Sequence, residues 1–326
     1  MMDVNTKKIL IAGGAGYIGS VLTPRLIERG YDVDTIDLLW FENNLAETVN
    51  VVRKDLNELK EGDLQGYDQV IFLAGLSNDP MAEYSPVRNF VENGSSPAYL
   101  AYIAKRAGVR RYIYAGSCSV YGYTINELYD ETYPTVSNYP YGISKLQGEF
   151  ASMQLQDENF SVICFRQGTV SGYSPRMRLD LIVNTMFKSA LQDGIITVNN
   201  PAIWRPLLAI QDAASAYIRA VEAPLEISGI FNIASGNYTV GEVADYVKIG
   251  VKEYLNVYCK ITIKHIQDFR NYKVAIDKAR NILSFRPRHE VEDIVKDLAE
   301  HLDNFKDFNN PRYYNIQTFK NLYPHN

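Results

Sequence analysis

A chain of 326 residues with 46% hydrophobic and 22% charged residues has globular composition and enough length for a sizeable core, which excludes a disordered or fibrous protein. Lys and Arg total 33 against 38 Asp and Glu, a net charge of −5, so no overall positive field exists to draw nucleic acid or an anionic membrane, and an anionic ligand must be held by local groups. Cys118, Cys164 and Cys259 are an odd count without metal-ligand spacing, and Met1–Lys8 lacks the apolar run of a signal peptide or membrane span; the expectation is a cytoplasmic, metal-free protein that binds neither nucleic acid nor membrane.

From Lys7 to about Arg166, short apolar runs alternate with longer helix-like stretches. The runs Ile9–Ala12, Asp32–Ile36, Val49–Arg53, Gln69–Leu73, Arg111–Ala115 and Ser161–Phe165 read as strands, and Gly16–Arg29, Ser96–Ala107 and Tyr141–Gln156 read as helices. That alternation predicts an α/β fold with a doubly wound parallel sheet over residues 1–166, joined by strands from beyond 166. Past Arg166, turn-rich pieces such as Ser171–Pro175 and Asn199–Pro201 separate helical stretches near Leu179–Asp193, Asp212–Glu222, Val240–Tyr254 and Glu290–Phe305. This predicts a smaller α/β C-terminal substrate lobe over 167–305. With no flexible linker between the halves, they should pack directly and leave a ligand cleft between them. Residues 306–326 read as a tail over the surface.

The first run leads into Gly13-Gly14-Ala15-Gly16-Tyr17-Ile18-Gly19, at the opening of a helix. Gly13 would make the tight turn, Gly16 would let backbone approach a pyrophosphate, and Gly19 would seat the helix close to the sheet, with its N-terminus facing the phosphates. This is the Rossmann dinucleotide pattern. The second run ends at Asp37, placed to accept hydrogen bonds from adenosine ribose hydroxyls. A carboxylate there repels the extra phosphate of NADP, and Leu38-Leu39-Trp40-Phe41 offers no arginine to hold it, so the predicted cofactor is NAD.

Tyr141-Gly-Ile-Ser-Lys145 opens a predicted helix, and four residues is one turn, so phenol and ammonium share a face. The ammonium, with the positive nicotinamide ring, favours phenolate and moves the tyrosine toward general-base duty. Ser117 follows the fifth strand. A solvated helix turn is the alternative for the Tyr–Lys pair alone.

In these residues the chain resembles the extended short-chain dehydrogenase/reductase family, also called the NAD-dependent epimerase/dehydratase family. The likeness runs over nearly the whole length through Gly13–Gly19, Lys54-Asp55-Leu56, Phe72-Leu73-Ala74-Gly75, Ser117–Gly122 and Tyr141–Lys145, all in family order. It implies a catalytic set of Ser117, Tyr141 and Lys145. It implies cofactor contacts from Gly13, Gly16, Tyr17, Ile18, Gly19, Asp37, Asp55, Leu56, Leu73, Ala74, Gly75, Asn93, Tyr141 and Lys145, and a homodimer formed through helices 96–107 and 141–156. For a nucleotide-diphosphate sugar it implies contacts from Ser117, Ser119, Arg205 and Arg270, guanidinium forks being suited to diphosphate. The segment Ser174–Asn184 is similar to that of a bacterial-polysaccharide group of the family that includes a GDP-heptose 4-dehydrogenase, which adds Arg176, Arg178 and Asn184 as substrate candidates. A helix-start cluster stabilised by Asp180 is the other reading of those three.

Family 4,6-dehydratases carry an additional acid and base just after the catalytic hydroxyl, where this chain has Cys118-Ser119, so chemistry at a single carbinol is expected. The options are 4-epimerisation, reduction of a 4-keto sugar, or oxidation at C4. Cys118 is expected to pack in the core. Phe72-Leu73-Ala74-Gly75 and Gln167-Gly168-Thr169 depart from the family's usual residues near the nicotinamide site and imply a reshaped groove. Two other classes stay open. One is a non-catalytic NAD sensor or scaffold, which would have no reason to keep the three catalytic residues; the other is a reductase of a small uncharged substrate, which would not need Arg205 and Arg270.

Overall fold

The computed structural model describes residues 7–264 and 270–324. The first part of the chain runs β1 (Lys8–Ala12), α1 (Gly19–Glu28), β2 (Asp32–Asp37), β3 (Asn50–Arg53), β4 (Gln69–Phe72), α2 (Asp79–Tyr84), α3 (Pro86–Phe90), α4 (Ser96–Arg106), β5 (Arg111–Ser117), β6 (Tyr123–Tyr129), α5 (Pro140–Met153) and β7 (Ser161–Gln167). It continues with β8 (Thr169–Ser171), α6 (Ile182–Asp193), β9 (Ile195–Asn199), β10 (Trp204–Ala209), α7 (Ile210–Glu222), β11 (Gly229–Ile233), β12 (Gly236–Thr239), α8 (Val240–Leu255), β13 (Lys260–Lys264), β14 (Asn271–Val274), α9 (Asp277–Ile282), α10 (Val291–Glu300) and α11 (Asn315–Leu322).

Seven strands form one parallel sheet in the order β11-β7-β5-β4-β1-β2-β3. Successive residues point to opposite faces, and both faces are covered, which is why these strands read as nearly unbroken apolar runs. Ile9, Ile11, Ile113 and Phe165 pack with Leu22 and Leu26 of α1 and Ala213 and Tyr217 of α7. Leu10, Val70, Phe72, Tyr112 and Val162 pack on the other face with Leu100 and Ala104 of α4. The strand order reverses between β1 and β4. In such a sheet the crevice at the carboxyl ends of the strands on either side of that reversal is the natural ligand site.

Beyond β7, β10 pairs in parallel with β8 and antiparallel with β12, while β13 pairs with β9 and β14 with β6. A separate apolar cluster, including Val183, Phe187, Val243, Val247, Val295 and Leu298, lies between α6, α8 and α10. Tyr17 connects this region to the glycine loop: its hydroxyl donates to Gly172 O at 2.6 Å, and Ser174 Oγ donates to its carbonyl at 2.8 Å.

The segment read as a surface tail is folded. Its helix α11 buries Phe319 completely in a cluster with Leu76, Met81, Trp40, Tyr84, Ile316 and Tyr323. Arg312, just before it, reaches Glu42 and Asn44, both at 2.8 Å, so the segment fastens the loop after β2 to the loop after β4. No helix among the described residues is long and apolar enough to cross a membrane.

Candidate active site

The turn after β1 needs glycine on two physical grounds. Gly13 has φ +84°, and a Cβ there would lie 2.7 Å from the Ala74 backbone nitrogen. At Gly19 a Cβ would come 2.3 Å from the Gly14 carbonyl oxygen, so its absence lets α1 sit against the loop. Asp37 faces this cradle, accepting from Leu39 N at 2.8 Å and Ala15 N at 3.1 Å. Burial pushes its carboxyl up, and those backbone donors and the Arg176 guanidinium oppose the shift.

At the end of β5, Ser117 Oγ accepts from Ser119 Oγ at 2.8 Å and from Ser119 N at 3.2 Å, which leaves its own proton free to donate into the cavity. Helix α5 presents Tyr141 and, one turn later, Lys145, whose Nζ lies 6.0 Å from the Tyr141 ring centroid. A buried ion pair holds this helix on the sheet, Glu149 taking both Arg166 Nε (2.9 Å) and Nη2 (2.7 Å).

Lys145 is 5% exposed, donates to Ala115 O at 3.0 Å, and is pulled down to about 7 by burial. Burial, then the charge of Asp79, push Tyr141 above the ordinary phenol range, while a hydrogen bond with Ser117 and the Arg178 cation pull it down. The sequence assigned that last task to Lys145. Arg178 acts on the phenol here, and burial pulls the Lys145 ammonium itself down.

These parts are walls of one cavity of about 480 Å³. Gly13, Gly16, Tyr17, Ile18, Asp37 and Leu56 line one end; Leu73, Ala74 and Gly75 line the middle; Ser117, Ser119, Tyr141, Lys145, Arg205 and Arg270 line the other end. Gln167, Gly168 and Thr169 are also in the wall, and a Cβ at Gly168 would lie 2.7 Å from Pro206 O, so this position cannot carry a side chain.

Four expected contacts lie off the cavity. Gly19 packs behind the loop. Asp55 accepts from Asn57 N at 2.8 Å and caps a short 3₁₀ turn, leaving Lys54 and Leu56 on the wall. Asn93 is fully buried and donates to Leu76 O at 2.8 Å behind Gly75. Asn184 is fully buried too, bonded to Tyr17 Oη, Gly172 and Arg178 O, so it braces the glycine loop against the segment after β8.

The arginines differ in their commitments. Arg178 is held bidentately by Asp180 at 2.9 and 3.0 Å. Arg270 pairs with Asp79 at 2.6 Å, and Arg205 donates to the Arg270 and Trp204 carbonyls beside Tyr272. Arg176, beside Arg178, has its guanidinium 3.6 Å from the Phe41 ring centroid and within the field of Asp37. The chain therefore does supply an arginine beside Asp37, from 139 positions downstream rather than from the residues that follow it.

Sequence reasoning missed Ser77, Asn78 and Asp79 after β4, Trp40 and Phe41, and Asn315 and Ile316 of α11, all of which line the cavity. One Asp79 carboxylate oxygen is buried with no hydrogen-bond partner. Cys118 packs as expected, 1% exposed with Sγ on Arg166 O at 3.2 Å, and burial pushes its thiol up.

The model of the NAD dependent epimerase/dehydratase family matches residues 9–234. The chain is 26% identical over 283 residues to UDP-glucose 4-epimerase of Bacillus subtilis (strain 168), covering 75% of this chain and 83% of that one. It is 26% identical over 298 residues to UDP-glucuronic acid decarboxylase 5 of Arabidopsis thaliana, covering 86% and 85%. The solved UDP-glucuronic acid 4-epimerase from Bacillus cereus, in complex with UDP-glucuronic acid and NAD, superposes with a TM-score of 0.79 at 21% identity over 91% of this chain and 99% of that one, a likeness of fold.

Proposed function

The chain belongs to the NAD dependent epimerase/dehydratase family, and we propose that within it the protein acts on a nucleotide-diphosphate sugar, exchanging a hydride at the C4 carbinol with 4-epimerisation as the net reaction. The observation that carries this reading is the single continuous cavity: the glycine cradle and Asp37 form one end, and Ser117, Tyr141 and Lys145 form the other. NAD suits these residues: the loop is drawn so tight that a Cβ at Gly13 or Gly19 would meet backbone, and the Asp37 carboxylate lines the cavity beside it, able to accept from ribose hydroxyls. When bound, it supplies the hydride acceptor and donor.

On this reading Tyr141 Oη takes the proton from the C4 hydroxyl and returns it, and Ser117 Oγ donates to the same oxygen and orients it. Lys145 holds the nicotinamide ribose and adds its charge beside the phenol. Arg205 and Arg270 take the substrate diphosphate, with residues 1–166 carrying the cofactor and 167–305 the sugar nucleotide. Against dehydration, Cys118 is buried and bonded to backbone, so no second acid and base follow Ser117. Phe150, Ile143 and Tyr102 stand 66%, 40% and 49% exposed on α5 and α4, which supports pairing of two copies through these helices.

The test is to denature the purified protein and quantify released NAD(H), then incubate the native protein with UDP-, GDP-, CDP- and dTDP-sugars and follow products by mass and NMR. Unchanged mass with inverted C4 is expected. Loss of water, or retained NAD without turnover on any sugar, would refute it.

A further inference from the structure

Arg176 is 3% exposed and lines the cavity, but its commitments are incomplete. One terminal nitrogen donates to Asn315 Oδ1 and another to Met177 O at 3.3 Å, while Nε is buried without any hydrogen-bond partner. Unlike Arg178 and Arg270, it forms no ion pair with a described carboxylate. Taking a guanidinium out of water is costly unless an anion meets it. Burial and the neighbouring Arg178 cation pull Arg176 down to about 9, the direction expected of a cation short of counter-charge.

Its position indicates which anion. Besides Asp180, Arg176 lies within the field of Asp37 and near Tyr17 of the glycine loop, and its face is stacked on Phe41 just beyond Asp37. It therefore lies on the Asp37 side of the cavity, where the cofactor would bind. Asn315, the first residue of α11, holds it there: its Oδ1 accepts from Arg176, and its Nδ2 donates to Ser77 Oγ at 2.6 Å. Asn315 is 4% exposed, and the burial of Phe319 and the Arg312 contacts with Glu42 and Asn44 fix its helix.

We propose that Arg176 binds the diphosphate of the cofactor rather than that of the substrate, and that Asn315 is a positioning residue by which the C-terminal helix aims the guanidinium and keeps the cofactor from exchanging. This rests on the cofactor reading above. A charge-assisted contact of this kind would add to whatever the backbone N–H groups at the start of helix α1 supply to the diphosphate.

The experiment measures the dissociation rate of NAD from the full chain, and the equilibrium binding of ADP-ribose, adenosine and UDP, for wild type, Arg176→Gln and Asn315→Asp. Arg176→Gln should weaken ADP-ribose and speed NAD release by about 10- to 100-fold, the range of a lost hydrogen bond to a charged group, while adenosine and UDP binding stay unchanged. Asn315→Asp supplies a carboxylate partner to Arg176 and should weaken ADP-ribose with no loss of thermal stability, which a purely structural asparagine would not do. If UDP binding falls and ADP-ribose does not, Arg176 serves the substrate and the proposal is overturned. NADP binding tighter than NAD, and lost in Arg176→Gln, would likewise overturn it. Wild type that binds neither ADP-ribose nor NAD would overturn the cofactor reading itself, whereas wild-type binding unaltered in both variants would overturn this inference alone.

Discussion

Replacing Lys145 by Met should stabilise the cofactor-free protein while abolishing turnover. Burial lowers this lysine from 10.5 to about 7, so the folded chain favours the neutral amine where the unfolded chain is an ammonium. At about 1.36 kcal/mol per pH unit, that drop corresponds to about 5 kcal/mol of stability withheld once both states are protonated, and to about 4 kcal/mol at pH 7. Met removes the titrating group and keeps the apolar stem, losing the bond from Nζ to Ala115 O, worth about 1 kcal/mol. The net gain near neutrality is then about 3 kcal/mol. The sign follows from a base whose folded pKa is depressed: its stability is full above the unfolded value of 10.5 and declines as pH falls toward 7. The advantage of the variant should therefore grow as pH falls from 10 to 7 and level off below. Urea denaturation of NAD-free wild type and Lys145→Met across that range reads it directly. A variant no more stable at pH 7, or an advantage independent of pH, would show that Lys145 is not held at a cost.

Tyr141→Phe should lower kcat by about 10²- to 10⁴-fold, the usual loss on removing a general acid or base, with NAD content unchanged in the purified protein. Asp79→Asn should shift the acid limb of the pH–kcat profile to lower pH: the Asp79 charge favours neutral Tyr141, so its removal eases ionisation, and the released Arg270 acts in the same direction. An unmoved limb would exclude Asp79 from tuning the phenol. Phe150→Glu places a charge on the most exposed apolar position of α5 and should convert a dimer to a monomer by light scattering, with the far-UV spectrum unchanged.

The parallel sheet was legible because strands covered on both faces leave apolar runs, and the helices that cover them, Ser96–Arg106 and Pro140–Met153, lay within a few residues of their expected ends. Helix α1 starts at Gly19, three residues later than the pattern suggested, after a turn in which Gly16 N donates to Gly13 O at 3.1 Å. Strands from beyond residue 166 were expected in the sheet, and β11 joins it, but the short strands from β8 onward were not located individually; each is three to six residues long and is specified by a distant partner, as β12 is by β10. Helix α11 did carry a signal, with Ile316, Phe319 and Tyr323 at helical spacing, obscured by its polar surroundings.

For the site, motif residues close in sequence were the readable part. Gly13, Gly16, Ser117, Tyr141 and Lys145 reach the cavity because strand ends deliver them there. What could not be read is what tertiary packing brings from afar: Asp79 beside Tyr141, Arg176 beside Asp37, and Asn315 beside Arg176. Asn184 and Asn93 lie behind the cavity wall for a related reason: each side-chain amide donates to buried backbone carbonyls of neighbouring segments.

The central claim is that hydride leaves and returns at C4 under the control of Tyr141. Its most direct test is to mix NAD-loaded protein with a nucleotide-diphosphate sugar deuterated at C4, quench within one turnover, and analyse the released cofactor by mass. Deuterium on the reduced nicotinamide in wild type, and none with Tyr141→Phe, is the expected result. Label that stays on the sugar while product forms, or that reaches the cofactor only from a sugar deuterated at another carbon, would contradict the account.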